Sequence, residues 1–409
     1  MIQPSLIACA GFAPRRLFHA AALSLLAAAA ATTPLRAEPM VPGDPAMVVE
    51  HLPDAQDPAR HALHALHAQL LVNPSNLALA LRVAREEMTE CRKLFDPRAC
   101  GRAEAALGPW IGAANPPPDV LLLRGLLRQT NHLFDAALAD LGRVLDIQPD
   151  NAQALLTSAV VHEVRAEYAL AQKDCGLAWF HVRDAAAVAC LAGVSSLTGH
   201  ATVTLAALKL HDSDPASPAA ERLWALTVEG EVAGRLGRNG AAEDAFTRAR
   251  VIAPDDSYLL GAYADLLLDL NRPREVVAML AGRTRIDPLL LRLAEAEERL
   301  GTPDPTHVAW LAQSFETSRR RGDIVHEREH ARFVLHVLHH PQDALAIAES
   351  NWRVQREPAD ARILMEAALA AKRPEAAAPA LAWLHGNGVE DLPLADLARQ
   401  LAVLPAATR

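Results

Sequence analysis

Aromatic residues are scarce in this chain of 409, at 4% of the total. The β-branched residues are scattered, and no stretch alternates apolar and polar residues as a half-buried strand would. Both deficits argue against a sheet. Half of the residues are nonetheless apolar, chiefly Ala and Leu, which lose little side-chain freedom in a helix. The expectation is an all-α protein, with length for two or three ordinary domains or one elongated array.

Long apolar runs are also missing. A membrane-spanning helix needs about 20 such residues, and the run from Leu17 to Ala31 is shorter. It follows Arg15 and Arg16 and leads to a small residue, Ala37, the layout of a secretory signal peptide over 1–37. The neighbours of Arg15-Arg16-Leu17-Phe18 do not complete a twin-arginine pattern, which favours the general secretion route. Cys9 precedes the charged and apolar regions, which excludes lipidation there. No span is predicted once the signal is removed.

Positive charge is in short supply as well. The formal net charge is −9, and losing the three arginines of the signal would leave about −12. Without a basic patch to neutralise phosphates, nucleic acid is excluded as a partner. Neither G-x-x-x-x-G-K-S/T, G-x-G-x-x-G nor G-x-S-x-G occurs, so nucleotide and α/β-hydrolase chemistry have no support and no cofactor is expected. Of five cysteines, Cys9 lies in the signal and four form two near pairs, Cys91 with Cys100 and Cys175 with Cys190. An even count at short spacing in an exported chain predicts disulfides. The alternative is four separate small apolar residues, while the two-residue gap of a zinc knuckle is absent.

What the chain has in abundance is a repeated phrase. After a proline-rich linker over 38–58, three stretches align: DVLLLRGLLRQTNHLFDAALADLGRVLDIQPD from Asp119, LWALTVEGEVAGRLGRNGAAEDAFTRARVIAPD from Leu223, and SYLLGAYADLLLDLNRPREVVAMLAGRTRIDP from Ser257. Gly125, Gly230 and Ala264 share one place in a first helix, Ala137 and Ala242 one in a second, and Pro149, Pro254 and Pro288 close the units. The step from Pro254 to Pro288 is 34 residues, the period of tetratricopeptide helix pairs. Over Ala59 to Leu384 the chain therefore resembles the tetratricopeptide-repeat superfamily. Leu121, Leu226 and Leu260 stand where that family often carries tryptophan.

The resemblance implies a right-handed α-solenoid of about eight to nine helix pairs, each burying its apolar face on its neighbours. The expected divisions are an N-terminal subarray over 59–210, a loop joint at 211–218, a C-terminal subarray over 219–390, and a terminal cap helix and tail over 391–409. In this phase Cys91 and Cys100 flank the turn of one pair, and Cys175 and Cys190 lie on adjacent helices. Both couples read as staples of the array.

One stretch points elsewhere. VHEREHARFVLHVLHHP, from Val325, contains H-E-x-x-H, in which His326 and His330 would hold zinc while Glu327 polarises a water. Phe333 stands in the place where metzincins have a chain-bending glycine, and His336 would fall on the far side of a continuing helix. Repeat phase makes this stretch a first helix with Phe333 in its packing seam. The readings held beside a scaffold are thus a zinc metallopeptidase on His326, Glu327 and His330, or a periplasmic metal-binding accessory protein using such histidine pairs.

The resemblance also implies that the first helices line a concave groove. Trp224, Glu231, Arg235, Tyr258, Asp265 and Asp269 are the residues expected there, an aromatic and acidic surface suited to a peptide segment. The function implied is a non-enzymatic exported scaffold for a partner protein or peptide, in the bacterial periplasm.

Overall fold

The computed structural model describes residues 58–211, 217–322 and 325–405. The predicted signal segment, the linker before Pro58 and residues 212–216 of the predicted joint lie outside the described residues. Among those described there is no strand. Helix α1 (Pro58–Val72) leads into nine helix pairs: α2 (Leu77–Leu94) with α3 (Pro97–Ala106), then, after the short α4 (Gly108–Ile111), α5 (Pro118–Thr130) with α6 (Phe134–Ile147). Next come α7 (Ala152–Val164) with α8 (Tyr168–Val182), α9 (Ala185–Ser196) with α10 (Ala201–His211), and α11 (Ala219–Arg235) with α12 (Asn239–Ile252). The remaining pairs are α13 (Ser257–Asp269) with α14 (Pro273–Leu280), α15 (Asp287–Arg299) with α16 (Pro305–Arg321), and α17 (Glu327–His336) with α18 (Pro341–Trp352). Helix α19 (Pro358–Ala370) pairs through a 3₁₀ turn (Pro374–Ala377) with α20 (Ala378–Gly386), and α21 (Leu392–Ala402) closes the array.

Local chemistry sets the helix ends. Asn76, Asn151, Asp184, Asp256 and Asp391 each accept a hydrogen bond from the backbone N–H three residues on, satisfying a donor that the first turn leaves unpaired. Within the pairs, the turn from first to second helix carries a residue in the left-handed region: Phe95, His132, Ala166, Gly199, Gly237, Asn271, Gly301, His339 and Lys372. In six of these turns the next N–H reaches back five residues, as Leu133 to the Arg128 carbonyl and Arg238 to the Ala233 carbonyl. That is the Schellman closure, which reverses the chain tightly enough for the second helix to pack on the first. His132 and Ala166 are 34 residues apart, as are Gly237 and Asn271.

The small residues lie where two helices touch. An added Cβ on Gly125 would meet the Leu141 side chain at 3.0 Å, and one on Gly230 would meet the Phe246 ring at 2.5 Å. Leu121, Leu226 and Leu260, in the tryptophan positions, are buried. Gly230→Ala is expected to destabilise by about 1–3 kcal/mol, because the fully buried Phe246 has nowhere to move. Gly142→Ala, in a helix interior with nothing within 4 Å of the new methyl, is expected to stabilise by up to about 1 kcal/mol. Denaturant titration of the two variants checks the pair, and equal effects would undo the packing argument.

One hydrophobic core runs from Leu155 to Leu401, and α9 packs directly on α11. The apolar interior is therefore continuous between the predicted subarrays. Cys91 is bonded to Cys100 with their Cα atoms 5.3 Å apart, and Cys175 to Cys190 with theirs 5.6 Å apart. The first bond clips α2 to α3, and the second clips α8 to α9.

Candidate interaction surface: the inner face

Successive first helices touch one another as well as their own partners: α5 with α7, α7 with α9, and so on to α17 with α19. They form a continuous ribbon, the inner face. The array also turns back on itself, because its late segments meet early ones on this side. Trp383 donates its indole N–H to the Tyr168 hydroxyl at 2.8 Å, a buried bond spanning 215 residues. The Arg356 backbone N–H donates to the Val164 carbonyl at 2.8 Å, the Thr202 N–H donates to Glu390 at 3.1 Å, and Gln355 bonds the His132 ring at 2.6 Å. Arg362 donates twice to Asp269, at 2.6 and 2.7 Å. At the other end of the array, the Ser257 hydroxyl donates to the Lys93 carbonyl.

Facing one another, the first helices build a charge network. Arg332 bonds Glu295 at 2.5 Å and lies 2.7 Å from Asp265, which also accepts from Arg292 at 2.7 Å. Burial alone would raise the Asp265 carboxyl, but Arg292 and Arg332 hold it at about 2. Arg328 reaches Glu357, Asp360 and Glu329 at 2.9, 3.5 and 3.3 Å. Desolvation dominates at Asp360 and lifts it to about 6, whereas Arg328 and Arg292 overcome it at Glu329 and bring that carboxyl to about 2. Arg362 also bonds Glu366 at 2.7 Å, and Glu366 pairs with His336 at 2.9 Å. Arg235 donates to the Ser196 hydroxyl at 2.5 Å.

The network is short of cations. Its guanidiniums are Arg235, Arg292, Arg328, Arg332 and Arg362, and the carboxylates named so far are Asp265, Asp269, Glu295, Glu329, Glu357, Asp360 and Glu366. Glu231 and Glu163 add two more. Glu231 accepts the Tyr258 hydroxyl at 2.7 Å, and desolvation raises its carboxyl. The Glu163 side chain makes no hydrogen bond among the described residues; burial first, then Glu357 and Glu231, push its carboxyl up to about 8 against the opposing pull of Arg235. The Glu231 carboxylate in turn holds the Tyr258 hydroxyl well above the ordinary tyrosine range. Tyr258 is nevertheless 60% exposed as a residue, so water reaches this part of the face.

The structure thus sets Glu231, Arg235, Tyr258, Asp265 and Asp269 around one region, while Trp224 is half-buried against the hydrophobic core. Sequence reading missed Glu163, Arg328, Arg332 and Arg362. The three arginines bond carboxylates up to 93 residues away, and no local pattern announces such pairings.

The H-E-x-x-H stretch is packed as repeat phase predicts. Phe333 is buried beside Phe315, and the His330 ring stacks on Phe315 with centroids 5.0 Å apart. Burial lowers the His330 pKa. Glu327 accepts from the Ser350 hydroxyl at 3.2 Å. No group of three or more His, Cys, Asp or Glu side chains placed to hold a metal ion is present among the described residues, and none of the described helices is long and apolar enough to cross a membrane.

No known family profile matches the chain, and no curated protein matches it in sequence. Solved structures do resemble it. A tetratricopeptide repeat protein from Parabacteroides merdae aligns at 13% identity over 69% of this chain and 98% of its own, with a TM-score of 0.34. Yeast Tom70 aligns at 11% identity over 84% of each chain, with a TM-score of 0.40. The TPR domain of P58(IPK) aligns at 15% identity over 85% of this chain and 93% of its own, with a TM-score of 0.23. By its own helix pairs and turn spacing, the described part of the chain is an all-α solenoid of paired helices.

Proposed function

We propose that this protein is a non-enzymatic exported scaffold whose inner face receives a basic segment of a partner protein. The observation that carries this reading is the acid excess of that face, nine carboxyl groups against five guanidiniums, with no hydrogen bond to the Glu163 carboxyl among the described residues. A lysine or arginine side chain entering beside Glu163, Glu231 and Tyr258 takes the place of the Glu163 proton and pairs with the carboxylate, and in a partly dehydrated setting such a pair is stronger than on an open surface. Export and a periplasmic location rest on the predicted signal at 1–37, and the two disulfides suit an oxidising compartment.

Calorimetry with a capped decapeptide of alternating lysine and alanine tests the reading, with the glutamate–alanine peptide as control. The lysine peptide is expected to bind, to weaken as salt rises, and to bind at least tenfold more weakly to Tyr258→Ala. Equal binding of both peptides, or none of the lysine peptide at millimolar concentration, would refute the proposal.

A further inference from the structure

An arginine placed among carboxylates ordinarily pairs with one, because a charge-assisted bond is roughly twice as strong as a neutral one. Arg235 is an exception. It lies within electrostatic reach of Glu163, Glu231 and Asp391, yet among the described residues it forms an ion pair with none of them. Its guanidinium donates instead to the Ser196 hydroxyl at 2.5 Å, and its buried Nε has no hydrogen-bond partner among those residues.

Helix α9 creates this arrangement. The Ser196 hydroxyl donates to the Gly193 carbonyl at 2.6 Å, which leaves its lone pairs to accept the guanidinium. Ser196 is fully buried, so water does not compete for that bond. Glu163 lies against the same helix one turn earlier: a Cβ built at Gly193 would have the two Glu163 carboxyl oxygens, at 3.4 and 3.5 Å, as its nearest neighbours. Residues three apart on a helix stand about 5–6 Å from one another. Arg235 and Glu163 are therefore held side by side without touching. Gly193 and Glu163 are only half-buried, and the bare glycine leaves the carboxyl uncovered on that side. The other titratable groups facing Glu163 are Glu231 from α11, Glu357 at the start of α19 and Tyr168 from α8, and none of these is a cation.

We infer that Ser196 is a positioning residue of the inner-face site: its hydroxyl parks Arg235 one helical turn away from Glu163, which keeps the place beside Glu163 open for the partner's cation. The inference rests on the reading of this face as the receptor of a basic segment. Released from Ser196, the long arginine side chain reaches Glu163 and takes that place itself. A competitor tethered to the same fold acts at high effective concentration, so a ligand would have to displace it.

The probe is the capped lysine–alanine decapeptide, titrated against the full chain by calorimetry. Ser196→Ala, with its fold checked by circular dichroism, is expected to bind it at least tenfold more weakly. The variant is also expected to lose any rise of affinity between pH 6 and pH 8, because a carboxylate paired with Arg235 is already ionised there. A substitution that merely loosened the helix would leave that pH slope in place. In an Arg235→Gln background the same substitution is expected to change the affinity less than twofold, since no internal competitor remains. Undiminished binding by Ser196→Ala, or equal weakening in both backgrounds, would overturn the inference. A comparison without ligand separates it from the reading it rests on. With Ser196 in place, the Glu163 carboxyl is raised to about 8, so the protein loses stability relative to Glu163→Gln as pH rises from about 4.5 to about 8. With Ser196→Ala, pairing lowers that carboxyl and the loss is expected to vanish. If the wild type binds no lysine peptide, the inner-face reading fails; if the loss of stability persists in Ser196→Ala, the parking of Arg235 fails.

Discussion

Between pH 6 and pH 8 the affinity of the inner face for the lysine–alanine peptide is expected to rise by up to tenfold per pH unit, then level off. Glu163 holds its proton up to about pH 8, because burial and the neighbouring carboxylates of Glu357 and Glu231 outweigh Arg235. A cationic side chain binds best to the ionised form, so binding below pH 8 must expel that proton, and one linked proton gives at most a tenfold change per unit. Lysine keeps its charge throughout this range. Glu163→Gln cannot ionise, and its affinity profile is expected to be flat and low. A wild-type profile with no slope between pH 6 and 8 would show that Glu163 does not face the ligand. Stability moves the opposite way. A carboxyl whose folded pKa is raised contributes stability fully below its unfolded value, and loses it as pH rises through the folded one. The wild type is therefore expected to lose stability relative to Glu163→Gln from about pH 4.5 up to about pH 8, and binding and folding can be separated by measuring both.

Arg332→Ala is expected to destabilise the fold by about 3–5 kcal/mol. Its guanidinium holds Glu295, which is 1% exposed, and Asp265 at the same time. Removing it leaves a buried carboxylate with its charge uncompensated, a larger effect than the loss of two contacts. Replacing the pair together, Arg332→Met with Glu295→Leu, is expected to restore most of the loss, since no buried charge is then orphaned. Urea titration reads both variants, and a loss below about 1 kcal/mol for Arg332→Ala would place the pair in the weak class of surface ion pairs. Asp265 adds a pH signature. Its folded carboxyl is held at about 2, so its contribution is present above pH 4 and disappears as pH falls through 2; Arg332→Ala should shift that acid limb upward.

The helices, their pairing and their period were legible in the sequence because they depend on neighbours. Gly125, Gly230 and Ala264 mark close approaches within a pair, and Pro149, Pro254 and Pro288 close the units. The turns were less legible. Of nine left-handed turn residues only Gly199, Gly237 and Gly301 are glycine; the tight packing of the pair imposes that conformation on His132, Ala166 and Lys372. The acidic side of the groove showed at Glu231, Asp265 and Asp269, whereas the arginines that answer them come from helices placed nearby only by the path of the whole array. The zinc-like spelling of His326, Glu327 and His330 shows the same limit from the other side, since its meaning depends on Phe333 being packed against Phe315.

A linear stack of repeats can lose its last unit at little cost to the rest, because each unit leans only on the next. Here the Trp383–Tyr168, Glu390–Thr202 and Arg362–Asp269 bonds tie the end of the stack to its earlier units. The last pair is therefore a keystone. Trimming it is expected to strip support from units about two hundred residues upstream, because the Trp383–Tyr168 and Glu390–Thr202 bonds go with it.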